Sequence, residues 1–255
     1  MDNDQPVLEA VDITLGRGSR IIYKHFNITL RQGITMVLGP NGTGKTTLLE
    51  HLVSPRDILG GHLELQGRRV GSDLPLRDYF ASLGFLPQKW ESYSGFTVID
   101  TLEYVAWLKG LSSSKARTAA KDALVAFGLT AYAKTSVAKL SGGLQQRVGI
   151  AEAFVNNPDI VLLDEPTVGL DPEQRSLVRK YLKSNAQSKA IVVSTHLTDD
   201  VDAIADRVIV VADGVALFDG TPAELAQHGE TINGHDSPLE AGYLSIVGAI
   251  TGAAQ

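Results

Sequence analysis

Gly39-Pro40-Asn41-Gly42-Thr43-Gly44-Lys45-Thr46 combines glycines, a lysine and a hydroxyl at the spacing G-x-x-x-x-G-K-[ST]. These residue types at this spacing suit a polyphosphate. Gly39, Gly42 and Gly44 let the backbone curl, so that its N–H groups can face an anion. An N–H donated to a charged oxygen contributes about 1.5–3 kcal/mol. An exposed helix dipole adds about 0.3–1 kcal/mol. The nest of N–H groups and Lys45 therefore outweigh the dipole. The motif places Lys45 at the β- and γ-phosphates and the Thr46 hydroxyl on Mg²⁺. Thr47 continues the same turn, and the candidate nucleotide-binding stretch runs from Gly39 to Thr47.

Such a loop needs a strand before it and a helix after it. The apolar run Thr35-Met36-Val37-Leu38 reads as the strand, and Thr46 to Leu52 as the helix. Upstream, the alternating Val7–Leu15 and the stretch 21–31 read as strands joined by a loop at Gly16–Ser19. They predict an antiparallel flap on a mostly parallel core. His62–Leu65 and Ser82–Leu86 read as further strands, the second stopped by Pro87. Gln88 follows, and the pattern turns helical. Val98–Lys109 carries Leu102, Val105 and Leu108 on one predicted face, and a second helix runs from Ser112 or Ser113 to Phe127. Residues 88–155 thus read as an inserted helical subdomain.

Ser141 opens another helix, with Leu144, Val148, Ala151 and Val155 as its stripe. The buried-strand runs Ile160–Leu163 and Ala190–Ser194 end at Asp164-Glu165 and, one residue on, at His196. Pro172 starts a helix. Asp213-Gly214 turns a hairpin between 207–212 and 215–218. Thr221 and Glu224 form a capping box. Residues 229–238 read as a loop, and Leu239–Ile250 as a short docked helix.

At 255 residues, with 44% hydrophobic and 20% charged residues, the chain has the balance of a water-soluble globular domain. A net charge of −6 points away from nucleic acid as a partner. The absence of cysteine excludes disulfide and thiolate chemistry and suits the cytoplasm. The polar start Met1–Pro6 is unlike a signal peptide. No run of 18 uncharged apolar residues offers a membrane span, so any membrane role is expected to come through a partner.

Leu140-Ser141-Gly142-Gly143 is a second glycine-opened helix start, again suited to an anion. Together with the phosphate loop, Ile160–Glu165, Gln88 and His196, it makes residues 7–226 resemble the nucleotide-binding subunit of an ABC transporter. The resemblance implies an α/β fold: a P-loop NTPase (RecA-like) core at about 1–87 and 156–230, with the antiparallel β flap and the inserted α-helical subdomain. A tail at 231–255 follows this single ATPase domain.

It further implies ATP and Mg²⁺, with Asp164 on the metal through water and Gln88 near it, and with Glu165 acting on the attacking water. His196 is implied at the γ-phosphate, and Gly169-Leu170-Asp171 at a dimer interface. The implied dimer is head-to-tail, with the chain itself or a homologue. In it, ATP on Lys45 of one subunit is covered by Ser141, Gly142 and Gly143 of the other. The implied partner is a separate transmembrane permease, which places the chain at the cytoplasmic side of the membrane. Export is favoured over import by the pattern around Gly84–Gln88, Phe96-Thr97-Val98 and Leu239–Leu244. The alternative is a soluble ATPase of the same type, such as an iron–sulfur assembly ATPase.

Two departures stand out. Leu144 occupies a position where the family often has Gln. The first strand pair, Leu15-Gly16-Arg17-Gly18, lacks the aromatic residue that usually stacks on adenine. Arg17 is the candidate replacement, and it leaves the choice between ATP and GTP open.

Overall fold

Strand β1 (Leu8–Arg17) turns into β2 (Arg20–Leu30) through Gly18-Ser19. Arg17 pairs directly with Arg20, so the turn has two residues rather than the four expected, and Gly16 and Arg17 belong to the strand. β3 (Gly33–Leu38) feeds the phosphate loop and helix α1 (Lys45–Val53). β4 (Gly60–Leu65) and the two-residue β5 (Arg68–Arg69) complete an antiparallel sheet of order β2-β1-β4-β5. The computed structural model describes residues 5–229 and 237–251. Most of the loop expected at 229–238 lies outside them.

Helix α2 (Leu76–Ala81) was not foreseen. Six residues with Tyr79 alone buried leave no periodic stripe to read. β6 (Leu83–Leu86) ends at Pro87, as its sequence dictates. α3 (Val98–Leu108) starts at a Thr97/Asp100 capping box and buries Thr101, Leu102, Val105 and Ala106. Leu108, expected on the same face, is 53% exposed. Steps of three residues rotate backwards by about 60° each, and two of them carry Leu108 off the buried stripe. α4 (Ser113–Ala126) buries Ala116, Ala120, Ala123 and Leu124. α5 (Gly142–Phe154) buries Val148 and Ala151, with Leu144 packed at the margin of the core.

The remaining elements are β7 (Ile160–Asp164), α6 (Pro172–Asn185), β8 (Ala190–Thr195), α7 (Thr198–Ile204), β9 (Arg207–Ala212), β10 (Val215–Gly220), α8 (Pro222–Gln227) and α9 (Pro238–Thr251). The second sheet has the order β10-β9-β3-β8-β7-β6. Its pairings from β9 through to β6 are parallel, with β10 antiparallel at the edge. Met36, Leu38, Val161, Leu163, Ile191 and Val193 face a helical layer that includes α3, α4, α5 and α6. Val37, Ile160, Leu162, Ala190 and Val192 face α1 and the antiparallel sheet. Both faces are covered, which is why these strands read as unbroken apolar runs. In α9, Leu239 and Ala241 are buried, and Tyr243, Ile246 and Val247 pack on the helical layer's core.

Candidate functional site

Ligands of open parallel sheets bind at the carboxyl ends of the strands. Here β3, β8, β7 and β6 are neighbours in that order, and their ends are level. Leu38 pairs with Thr195, Asp164 with Ser194, and Leu86 with Leu163. One edge of the sheet therefore presents the phosphate loop after Leu38, His196 after Thr195, Asp164 and Glu165 at the end of β7, and Gln88 two residues past β6. A cavity of about 580 Å³ opens there. Asn41, Gly42, Gly44, Lys45, Thr46, Thr47, Gln88, Asp164, Glu165 and His196 all line it.

Gly44 caps α1 at φ 102° and offers no side chain to the first turn. Only glycine adopts this backbone readily. A Cβ at Gly44 would also approach the Tyr23 ring to 2.9 Å. The N–H groups of that turn have no intrahelical partners. The buried ammonium of Lys45 donates to the Gly39 carbonyl at 2.6 Å and the Pro40 carbonyl at 3.1 Å. Burial lowers its pKa, and the charges of Glu165 and Asp164 oppose that shift. The Thr43 hydroxyl also donates to the Pro40 carbonyl.

Glu165 stands at φ 52°, in the left-handed region, where a side chain with a Cβ costs of order 1–3 kcal/mol. Its N–H reaches the Ser194 carbonyl at 3.1 Å and the Ser194 hydroxyl at 3.2 Å. Ser194 also donates its hydroxyl proton to Asp164 Oδ1. His196 Nδ1 lies 2.9 Å from Glu165 Oε1, and the imidazole is half exposed at the cavity rim. Asp164 Oδ2 and Glu165 Oε2 are buried without hydrogen-bond partners among the described residues. Asp164, Thr46 and Gln88 line the same cavity, and their carboxylate, hydroxyl and amide oxygens are donors of the kind a hard divalent cation takes.

Ser194 was missed in the sequence, although its place at the end of a buried strand beside β7 was a usable signal. Gln146, which lines the cavity and donates to the Pro166 carbonyl at 3.2 Å, was missed too. Arg17, Arg20 and Ile22 line the cavity from the β1–β2 hairpin, whereas Tyr23 is wholly buried. Behind the site, Asp200 accepts from Thr167 and from Arg179, joining the Glu165–Asp171 loop to α6 and α7. Asp171 then caps α6 through the Gln174 N–H at 2.8 Å.

Ser141, Gly142 and Gly143 are not part of this cavity. They sit at the start of α5, where the Ser141 hydroxyl accepts the Leu144 N–H at 3.4 Å, and Ser141 and Gly142 are exposed. One chain thus carries a glycine-rich loop and helix start that line the cavity and, apart from them, a second, open glycine-rich helix start.

A site of this kind on a sheet of this order defines a P-loop nucleotide-binding cassette, and known proteins agree. The family model described as ABC transporter matches residues 23–168. The chain is 35% identical over 229 residues to an uncharacterized ABC transporter ATP-binding protein of Synechocystis, covering 88% of this chain and 63% of that protein. It is 34% identical over 212 residues to Nod factor export ATP-binding protein I of Burkholderia lata, covering 82% and 69%. With the linearmycin resistance ATP-binding protein of Bacillus subtilis it shares 28% over 232 residues, covering 89% and 73%.

Among solved structures, the ATP-binding subunit of an ABC transporter superposes with a TM-score of 0.81 at 23% identity, covering 94% of this chain and 99% of that one, a likeness of fold. A dimeric ATP-binding cassette in a post-hydrolysis state, bound to ADP and Pi, superposes with a TM-score of 0.75 at 26% identity, covering 84% and 98%. The chain belongs to the ABC transporter family, as an ATP-binding cassette. Among the described residues no helix is long and apolar enough to cross a membrane.

Proposed function

We propose that the chain binds and hydrolyses ATP to drive transport, in the export direction, through a separate transmembrane permease. The observation that carries this reading is the convergence of the Lys45 loop, Asp164-Glu165, Gln88 and His196 on one edge of the sheet. The names of the Nod factor export and linearmycin resistance relatives support the export direction. They favour it over the soluble iron–sulfur assembly alternative.

The phosphates lie on the N–H groups between Gly39 and Thr47, and Lys45 leaves the Gly39 and Pro40 carbonyls to meet them. Thr46, Asp164 and Gln88 are the residues that would hold Mg²⁺, which supplies charge neutralisation at the phosphate oxygens when bound. Glu165 orients the attacking water and accepts its proton. His196 holds the Glu165 carboxylate on one side and faces the γ-phosphate on the other. Arg17 lies against the base in place of an aromatic ring.

Two such cassettes pair head to tail. Ser141, Gly142 and Gly143 of each then cover the ATP held by the other, and Gly169-Leu170-Asp171 crosses the interface. The dimeric cassette among the solved structures supports this arrangement. The core spans about 1–87 and 156–230, the helical subdomain about 88–155 and the tail 231–255. The permease meets the face beside Gln88, where Tyr93, Phe96 and Tyr104 cluster with ring centroids 5.1–5.6 Å apart. The chain then sits at the cytoplasmic side of the membrane, held there by the permease.

The test is a pull-down from gently solubilised membranes, with Glu165→Gln as bait and ATP–Mg²⁺ present. Co-purification of a polytopic membrane protein is the expected result. Recovery of soluble partners alone, with the bait absent from membranes, would overturn the transporter reading and leave the nucleotide site standing.

A further inference from the structure

Gln88 is held from both sides by one helix. Two residues before it, the Leu86 side chain reaches Gly149 of α5; two residues after it, the Trp90 ring lies on the same glycine. A Cβ built on Gly149 would stand 2.8 Å from Leu86 Cδ1 and 2.9 Å from Trp90 Cδ2. Glycine inside a helix costs about 1 kcal/mol relative to alanine, so this close approach gives the position a packing reason. One turn further along α5, Glu152 Oε2 accepts the Trp90 indole N–H at 3.0 Å. Pro87, Gln88 and Lys89 therefore arch between two anchors on α5, with Gln88 itself exposed at the cavity edge.

Lys109, at the end of α3, acts on Glu152 through its charge, and that ammonium is already held by the Phe80 and Leu83 carbonyls at 3.0 and 2.9 Å. Tyr93 faces it from the loop after Trp90. Burial pushes the Glu152 carboxyl up to about 7, and the Trp90 and Lys109 contacts pull the other way. A largely buried acid in contact with an indole two residues from Gln88 has no part in the chemistry described above.

The opposite end of α5 is Ser141-Gly142-Gly143. We propose that Trp90 and Glu152 are positioning residues that tie Gln88 of one nucleotide site to the α5 start serving the other, so that the two sites of a dimer act together. This rests on the dimeric ATPase reading. A movement of α5 when its exposed end meets the partner's nucleotide shifts Leu86 and Trp90 together, and Gln88 moves with them. Without the Trp90–Glu152 bond the arch is anchored on its Leu86 side by packing and loses its polar anchor on the other. Gln88 then no longer follows the helix.

The test uses the full chain and steady-state ATP hydrolysis. Glu152→Ala and Trp90→Phe are each expected to lower kcat about tenfold or more, since small misplacements of a positioned group cost rates on that scale. KM for ATP stays within about twofold, because the cradle at Lys45 is untouched. Glu152→Gln keeps an oxygen that accepts the indole N–H and restores the parent rate. The double variant is no slower than either single one. With Trp107→Phe leaving Trp90 as the sole indole, ATP–Mg²⁺ shifts the Trp90 emission of the Glu165→Gln variant, and Glu152→Ala abolishes that shift.

Parent-like kcat in both single variants would overturn the proposal. So would a Glu152→Gln variant as slow as Glu152→Ala, or a loss confined to KM. Where Glu152→Ala fails to fold, Trp90→Phe, which keeps a ring on Gly149, decides. A parent chain that does not hydrolyse ATP overturns the functional reading and the coupling together. A parent that does, with unaffected variants, overturns the coupling alone.

Discussion

Helices α1 and α5 both begin at glycine-rich turns, yet they are built for different situations. The start of α1 is sunk into the carboxyl edge of a sheet buried on both faces, with carboxylates at the end of the next strand but one and a lysine folded back over the loop. It lacks a side-chain cap, so its N–H groups wait for an external acceptor. The start of α5 is exposed at Ser141 and Gly142, is capped by its own Ser141, and lies outside the cavity that holds Lys45, Asp164 and Glu165. On the proposed function, the same sequence device makes a complete anion site in one place and half of one in the other. What separates them is the company each keeps across the sheet, not the glycines.

That contrast can be broken by experiment. The largest expected effect is at the chemistry: Glu165→Gln lowers kcat about 10²–10⁴-fold and accumulates an ATP-bound dimer, read by turnover and size-exclusion chromatography. A variant with parent turnover would remove Glu165 from the role given to it. Next, Lys45→Ala weakens nucleotide binding by the isolated chain about 10²-fold, the scale of a lost charge-assisted bond, measured by titration calorimetry.

Ser141→Ala sharpens the comparison most. Nucleotide binding by the single chain stays at the parent value, while ATP-driven dimerisation weakens about tenfold. The lost cap also costs about 1 kcal/mol of stability. Equal loss of single-chain binding in Ser141→Ala and Lys45→Ala would mean that both helix starts serve one site. Arg17→Ala is expected to cost only a few-fold in affinity, and to cost it for ATP and GTP alike, because a guanidinium stacked on a purine does not read its edge.

The last effect is on folding. Glu152 has its carboxyl raised in the folded chain, from an ordinary 4.5 to about 7. Between those values the folded state holds more protons than the unfolded one, so stability falls as pH rises through the window and levels off above about 7. Thermal unfolding of the parent is expected to show this decline, and Glu152→Gln to lack it.

Much of this was legible because the central strands are buried on both faces. Ile160–Leu163 and Ala190–Ser194 could be little else, and each points at the polar residues that follow it. The capping boxes at Thr97/Asp100 and Thr221/Glu224 follow local rules, although only the second was read from the sequence. What escaped was either too short or too remote. α2 has a single buried side chain, and β5 is two residues long. The expected Leu108 face failed because a three-residue step is not the helical period. Gly16 and Arg17 look like turn residues and are held in a strand by pairing across the hairpin.

The departure of Lys45 toward its own loop carbonyls, the Ser194 link between β7 and β8, and the seat of Trp90 on Gly149 all join residues whose spacing carries no pattern. Trp90 and Glu152 are 62 positions apart. Only the register of β6 against β7 and the lie of α5 across them bring the two together.

The backbone at Glu165 has a consequence for how this chain can change over generations. A positive φ suits glycine, and after it asparagine or aspartate, better than glutamate. Glycine or asparagine there eases the fold and removes the carboxylate beside His196, and aspartate draws it back by one methylene. On the role proposed for Glu165, drift toward a firmer structure runs toward silence at this position, and a lineage that keeps glutamate there is held by the demand for turnover, not for folding.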